Sequence, residues 1–206
     1  MRKNISIAHY DLPGGRTRKI LEVISVGIGG LVIAPFSLIS NGIIKLINDC
    51  TAEYDTIAFT SGFDNSGAPK WLIAGLCDHF LFTPITAKHN AQGHKVKWLS
   101  NVKRDTVLNT LSDEQYQNIV MIGHGNSNSY YASDGKVTAE DILDKGIKKK
   151  KGALYQHTCG GGNGLKLREV LLEDPSKGYT FDRCIYITEN YLAAWKSLFG
   201  KKPEYK

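Results

Sequence analysis

The sequence predicts an α/β fold in which a mostly parallel sheet carries helices on both faces. Two observations lead to this prediction. Short apolar runs alternate with stretches of helical spacing between residues 55 and 200 of the 206-residue chain. Several apolar runs also stop at glycine, as NIVMIGHG does at Gly125. Such alternation is typical of a parallel sheet, whose crossover connections are nearly always right-handed.

The alternation predicts a regular series of strands and helices after residue 50. The strands are expected at residues 55–62, 95–100, 118–125, 152–160 and 183–190. The helices are expected at residues 68–80, 104–117, 138–147, 165–174 and 191–200, with a break at Ser112 left open. Thr138 followed by Asp141 matches a helix-capping pattern. The lysine run Lys148–Lys151 is expected to be a solvated helix end.

Composition excludes several classes of protein. Apolar residues make up 42% and charged residues 22% of the chain, which indicates a globular rather than a disordered protein. The net charge of +6 suits anionic partners, but no arginine stripe with interleaved aromatics is present, so we expect no nucleic-acid partner. The cysteines are Cys50, Cys77, Cys159 and Cys184. Their spacing predicts neither a disulfide scaffold nor a zinc ribbon, although one disulfide stays open.

The N-terminal region, residues 1–50, contains an apolar helix or hairpin at about residues 20–48 that we expect to associate with a membrane. Residues 23–44 contain no charge over 22 residues, enough to cross a bilayer. The more basic N-terminal flank favours a cytoplasmic N-terminus, but few charges decide it and the orientation stays open. Pro35 leaves two alternatives, a hairpin in one leaflet or a hairpin packed on the domain, and a signal peptide is a further one. The expected localisation is membrane-associated and otherwise cytoplasmic.

The chemistry-bearing residues follow two consecutive apolar strands. His124 and Gly125 end NIVMIGHG, and Cys159 and Gly160 follow ALYQHT. The carboxyl ends of parallel strands lie on one edge, where ligands bind in open α/β sheets. If the two strands are neighbours, the imidazole and the thiol meet there.

These residue types suit thiol chemistry on a carbonyl carbon. An imidazole can take the proton of a thiol and later protonate a leaving amine. A helix beginning after Gly164 is expected to favour the thiolate through its positive end. Backbone amides of Gly125 and of Cys159 or Gly160 are candidate donors to the oxyanion, and glycine lets a substrate approach closely.

The motifs GHG and HTCGG, in this order on successive strands, resemble those of the caspase-type cysteine peptidases. This group includes caspases, metacaspases, legumain-like peptidases, clostripain, gingipains and bacterial CHAT domains. The resemblance covers residues 55–200, within a predicted domain of residues 51–206. It implies His124 as general base and acid, Cys159 as nucleophile and Gly125 as an oxyanion contributor. The sequence has QHTC where caspases have Gln-Ala-Cys, and its strands and loops are short, which leaves the specificity and the need for a partner chain open.

Further residues are candidates for the site. His157 is either a second imidazole or a partly buried strand residue, Asn163 and Ser127 are candidates to position substrate, and Asp134 is a candidate to bind a basic substrate. A metal site among Cys77, His79, His89 and His94 fits no zinc pattern. The prediction is therefore a peptidase without cofactor or metal that acts on protein or peptide. The alternatives are a thiol acyltransferase or transamidase of the same fold, and a non-catalytic scaffold at a membrane.

Overall fold

A computed structural model describes residues 54–61, 89 and 92–181 of the chain. The strands are β1 (Thr56–Ser61), β2 (Val96–Ser100), β3 (Asn118–Gly123), β4 (Gly125–Asn126), β5 (Ser129–Tyr131), β6 (Lys136–Thr138), β7 (Leu154–His157) and β8 (Gly178–Thr180). The helices are α1 (Arg104–Ser112), α2 (Ala139–Asp144) and α3 (Leu167–Leu171), and a 3-10 turn spans Pro175–Lys177.

Five strands form one parallel sheet in the order β2-β1-β3-β7-β8. Every adjacent pair in it runs parallel, so the mostly parallel α/β sheet expected from the sequence is confirmed. The predicted strand at 183–190 and the predicted helices at 68–80 and 191–200 lie outside the described residues. β8 was not expected, because Gly-Tyr-Thr is too short to carry a strand pattern.

One face of the sheet and the three helices share a single core. Alternate strand residues point to the same face, and those of this face are Ile57, Phe59, Ile119, Met121 and Leu154. They form one buried cluster with apolar residues of α1, α2 and α3, which are Val107, Leu108, Leu111, Ala139, Ile142, Leu167, Val170 and Leu171. The described helices therefore cover this face. The expectation of helices on the opposite face concerns residues outside the described part of the chain.

Local signals explain where the helices begin and end. Thr138 Oγ1 accepts a hydrogen bond from the Asp141 amide at 3.2 Å, and Asp141 Oδ2 accepts one from the Thr138 amide at 2.8 Å. The capping pattern predicted at the start of α2 is confirmed. α1 ends at Ser112, the break left open above, and α3 is shorter than expected.

A second, antiparallel sheet of three short strands lies between β3 and α2 in the chain. Its order is β4-β5-β6, and Gly125 pairs with Tyr130. No strand was predicted between residues 125 and 138. Its strands have only two or three residues, and the segment GNSNS consists of turn-forming residues. Neither shows the alternation of apolar and polar residues from which a strand is predicted.

Asp55, directly before β1, joins the amino ends of three strands. Its carboxylate oxygens lie 2.5 Å from His94 Nδ1 and 2.8 Å from the Lys95 amide nitrogen. Its carbonyl accepts hydrogen bonds from the amides of Gln117 at 2.8 Å and Asn118 at 3.0 Å. Partial burial raises the pKa of Asp55, but the hydrogen bonds of its carboxylate outweigh burial and hold that pKa below its usual 3.8.

We expect Asp55→Asn to lower the free energy of unfolding at pH 7 by roughly 1–3 kcal/mol, because charge-assisted hydrogen bonds are lost. The pKa is lower in the folded than in the unfolded chain. The stabilisation is therefore complete above the unfolded value of 3.8 and is lost as pH falls through the folded value. Urea unfolding at a series of pH values measures it, with the exposed Asp144→Asn as control. Equal loss of stability in acid for wild type and Asp55→Asn would contradict the role of Asp55.

The segment predicted to bind a membrane lies outside the residues that the structure describes. Within residues 54–61, 89 and 92–181, none of the helices has the length and apolar character needed to cross a bilayer. Residues 23–44, and with them the boundary between the predicted regions 1–50 and 51–206, lie outside the described residues.

Candidate active site

The two sequence-predicted reactive residues follow adjacent parallel strands. β3 and β7 pair directly, and the last pair of their register is Ile122 with His157. His124 and Cys159 each lie two residues beyond this last pair, so they occupy equivalent positions past the paired segment. The condition that the two strands be neighbours is met. Both residues lie at the carboxyl edge of the sheet.

The glycines flanking the imidazole are places of close backbone approach. Gly123 has φ +134°, and a Cβ there would overlap the carbonyl oxygen of Ser61 on the neighbouring strand. A Cβ on Gly125 would come within 2.5 Å of the Ser129 carbonyl oxygen and 3.2 Å of Thr158 Cγ2. Gly125 therefore packs against Thr158, the residue just before the thiol. The neighbours of the two predicted catalytic groups are in contact.

His124 has the electrostatic character of a neutral base. It keeps exposed surface, yet partial desolvation by the surrounding protein lowers the pKa of its imidazole below the usual 6.5. The imidazole is therefore mainly unprotonated at pH 7, the form that accepts a proton.

The backbone around His124 leaves the Gly125 amide directed away from the hairpin. The Tyr131 amide donates to the His124 carbonyl at 3.0 Å, and Gly125 pairs with Tyr130 in the same ladder. Amides in an antiparallel ladder alternate between pointing to the partner strand and pointing away from it. The Gly125 N–H therefore points away from β5, as an oxyanion donor requires.

Cys159 is half-buried, and the helix expected to assist it is short. α3 begins at Leu167, eight residues after Cys159, and has five residues. Its first amides are already engaged, since Leu167 donates to the Ser127 carbonyl at 2.8 Å and Lys166 to Glu169 Oε2 at 2.9 Å. The predicted helix after Gly164 is present, but so short a helix has little dipole to offer the thiolate.

The segment after the thiol is bound to the hairpin after the imidazole. We call residues 160–164 the glycine loop and residues 125–129 the hairpin turn. The Ser127 amide donates to the Gly161 carbonyl at 3.0 Å, and Ser127 Oγ lies 2.5 Å from the same oxygen. Asn128 Nδ2 donates to the Asn163 carbonyl at 2.7 Å. The hairpin turn and the glycine loop, which follow the predicted base and nucleophile, are thus joined by hydrogen bonds.

The other sequence-predicted residues occupy several environments. His157 is 5% exposed and its ring lies 6.3 Å from that of Phe181, so it is a buried strand residue. Asn163 is exposed and Gly160 is half-buried, both in the glycine loop. Asp134 Oδ1 accepts a hydrogen bond from the Arg104 amide at 2.6 Å. Asp134 therefore caps α1, and this accounts for a carboxylate at that position.

Sequence reasoning missed two groups of polar residues. Asn126 and Asn128 organise the hairpin turn, and the run of alternating Asn and Ser in GNSNS was the signal that could have indicated a built turn. The second group lies at the opposite, amino edge of the sheet, where Asp55 contacts His94; the histidines were considered only as metal ligands, and their association with Asp55 was not predicted. The His89 ring lies 6.0 Å from that of His94 and 5.2 Å from that of Tyr155.

The amino-edge group does not support the metal alternative. Among the described residues, no three or more His, Cys, Asp or Glu side chains are arranged to hold a metal ion. Cys77 and His79, which the alternative also used, lie outside the described residues.

Comparisons with known proteins add little. No protein-family model matches the sequence, and no curated protein matches it. Among solved structures, caspase-1 from Spodoptera frugiperda is similar with a TM-score of 0.39 and 13% sequence identity, over 68% of this chain and 69% of that chain. At this level of similarity, neither fold nor activity transfers to this chain.

Proposed function

We propose that this chain is a caspase-type cysteine peptidase that hydrolyses peptide bonds through a thioester intermediate. In this proposal Cys159 is the nucleophile and His124 is the general base and acid. The observation that carries the proposal is the register of the adjacent strands β3 and β7. It places His124 and Cys159 at equivalent positions, each two residues beyond the last paired residues. The contact of Gly125 with Thr158 and the hydrogen bonds between the two loops support it.

The proposed reaction begins with proton transfer from the Cys159 thiol to the neutral imidazole of His124. The thiolate attacks the peptide carbonyl carbon, and its C=O becomes a tetrahedral oxyanion. Amides of Gly125 and Gly160 donate to this oxyanion. When the C–N bond breaks, the imidazolium returns its proton to the departing amine, and a thioester remains on Cys159.

The second half of the reaction uses the same groups. His124 takes a proton from water, which attacks the thioester carbonyl carbon. The C–S bond then breaks, and the proton returns to sulfur, so that a carboxylic acid product and the original thiol result. Asn163, exposed in the glycine loop, is proposed to contact the substrate backbone. His157, at 5% exposure, does not enter the proposed reaction.

An electrophilic peptide probe tests the proposal on the full chain. A peptidyl acyloxymethyl ketone is expected to label the wild-type protein and to leave Cys159→Ala unlabelled. Equal labelling of both proteins would remove the peptidase proposal and favour the scaffold alternative. If an unmodified peptide substrate, supplied together with an amine nucleophile, gives the amide instead of the acid, the transamidase alternative is correct.

We also propose that residues 23–44 bind the protein to a membrane, because their length without charge suits a bilayer. Membrane sedimentation of the full chain and of a chain starting at residue 51 tests this. The full chain is expected in the membrane fraction until detergent is added. Recovery of the full chain in the aqueous fraction without detergent would contradict the proposal.

A further inference from the structure

We propose that Asn128 is a positioning residue of the site, whose carboxamide holds the glycine loop after Cys159 against the hairpin turn after His124. This inference rests on the proposed peptidase function for its kinetic consequence. Its structural content, that the Asn128 side chain helps to hold the loop in place beside Ser127, is independent of that function.

The glycine loop has little means of holding its own shape. Four of its five residues are glycine, and they belong to neither a helix nor a strand. Glycine has the largest conformational freedom of any residue, so such a loop samples many backbone conformations unless other groups fix it. The donors and acceptors that fix it come from the hairpin turn.

Both ends of the Asn128 carboxamide are engaged at this junction. Nδ2 donates to the Asn163 carbonyl at 2.7 Å, and Oδ1 accepts from Ser127 Oγ at 2.8 Å. Gly162, with φ +104°, packs against the same oxygen so closely that a Cβ there would overlap Asn128 Oδ1. The glycine loop is therefore shaped around this side chain.

Asn128 is itself held by the strand that leads to the thiol. Its amide donates to Asn126 Oδ1 at 2.9 Å, and that oxygen also accepts from Ser129 Oγ at 2.9 Å. The Asn126 carbonyl accepts from Gln156 Nε2, on β7, at 3.1 Å. A continuous set of hydrogen bonds thus joins β7, the hairpin turn and the glycine loop.

This arrangement predicts a defined kinetic effect. If the amides next to Cys159 stabilise an oxyanion, they act in the transition state and not on bound substrate, so loosening the loop lowers kcat more than it raises KM. We expect Asn128→Ala to lower kcat roughly 10- to 100-fold, the size associated with small misplacements in an active site. KM is expected to change by less than about threefold.

Asn128→Asp separates a hydrogen-bonding role from a packing role. Aspartate has the same shape and can still accept from Ser127 Oγ, but it cannot donate to the Asn163 carbonyl. It is therefore expected to lose kcat as Asn128→Ala does. Asn109→Ala is the matched control, because Asn109 Oδ1 also accepts a hydrogen bond, from Lys145 Nζ at 2.8 Å, on an exposed face away from the site.

Hydrogen exchange of the same proteins tests the inference even if the peptidase proposal fails. Asn128→Ala and Asn128→Asp are expected to speed exchange of the Ser127 amide, which donates to the Gly161 carbonyl of the glycine loop, and to leave residues 154–157 unchanged, while Asn109→Ala matches wild type. Unchanged exchange of the Ser127 amide overturns the inference. Retention of kcat within twofold in both variants also overturns it, as does wild-type kcat in Asn128→Asp alone. An inactive wild type whose variants show the faster exchange overturns the peptidase proposal and supports the positioning role.

Discussion

Replacing Cys159 with alanine is expected to lower kcat/KM for peptide hydrolysis by roughly 10⁴-fold or more. Alanine has no group that can form the thioester, and a nucleophile and its base act as a unit, so the remaining parts supply little catalysis. The measurement is kcat/KM on a pool of fluorogenic peptides at neutral pH, with folding checked by circular dichroism.

The chain offers matched controls for this experiment. Its other cysteines are Cys50, Cys77 and Cys184, and each can be replaced by alanine in turn. These three variants are expected to retain wild-type activity within a fewfold. If one of them lost activity while Cys159→Ala kept it, the nucleophile would have been assigned to the wrong cysteine.

His124→Gln is expected to lower kcat/KM by roughly 10²- to 10⁴-fold, the usual contribution of a general acid-base group. Partial desolvation lowers the pKa of His124, so its neutral form predominates at pH 7. As pH falls through this pKa, below about 6.5, the imidazole gains a proton and the base is lost. The acid limb of the wild-type pH-rate profile should therefore lie below pH 6.5.

The variant tests this assignment through the shape of its profile. Glutamine does not titrate, so the limb that belongs to the imidazole should disappear in His124→Gln. A variant that kept both the rate and the acid limb of wild type would show that another group supplies the base. His94→Gln is a matched imidazole control, because His94 lies at the amino edge of the sheet and is expected to leave the profile unchanged.

The sheet and the position of the candidate site were predictable because they depend on local pattern. The apolar runs leading to Gly123 and His157 mark buried strands without reference to the rest of the chain. Parallel order then brings the ends of the two strands to one edge. Pattern alone did not show which strands are neighbours, and the pairing of β3 with β7 supplies this.

Features that depend on tertiary contacts were not predictable from pattern. Lys150 was expected among solvated lysines but is 1% exposed, and its Nζ donates to the Asp113 carbonyl at 2.8 Å, at the end of α1. Burial lowers the pKa of Lys150, although Asp113 and Glu114 oppose the shift. Likewise, no spacing rule connects Asn128 with Asn163, because their contact depends on how two irregular segments meet.

The rate at which iodoacetamide alkylates Cys159 in the full chain, compared between wild type and His124→Gln, tests the central claim most directly. An ordinary thiol has a pKa of about 8.5 and reacts slowly at pH 7, whereas a thiol that gives its proton to an imidazole reacts fast. We expect the rate at pH 7 to fall roughly tenfold in the variant and the two rates to converge at about pH 9.5, where a thiol ionises without help. Equal rates at pH 7 would show that His124 does not act on the sulfur, and would contradict the account.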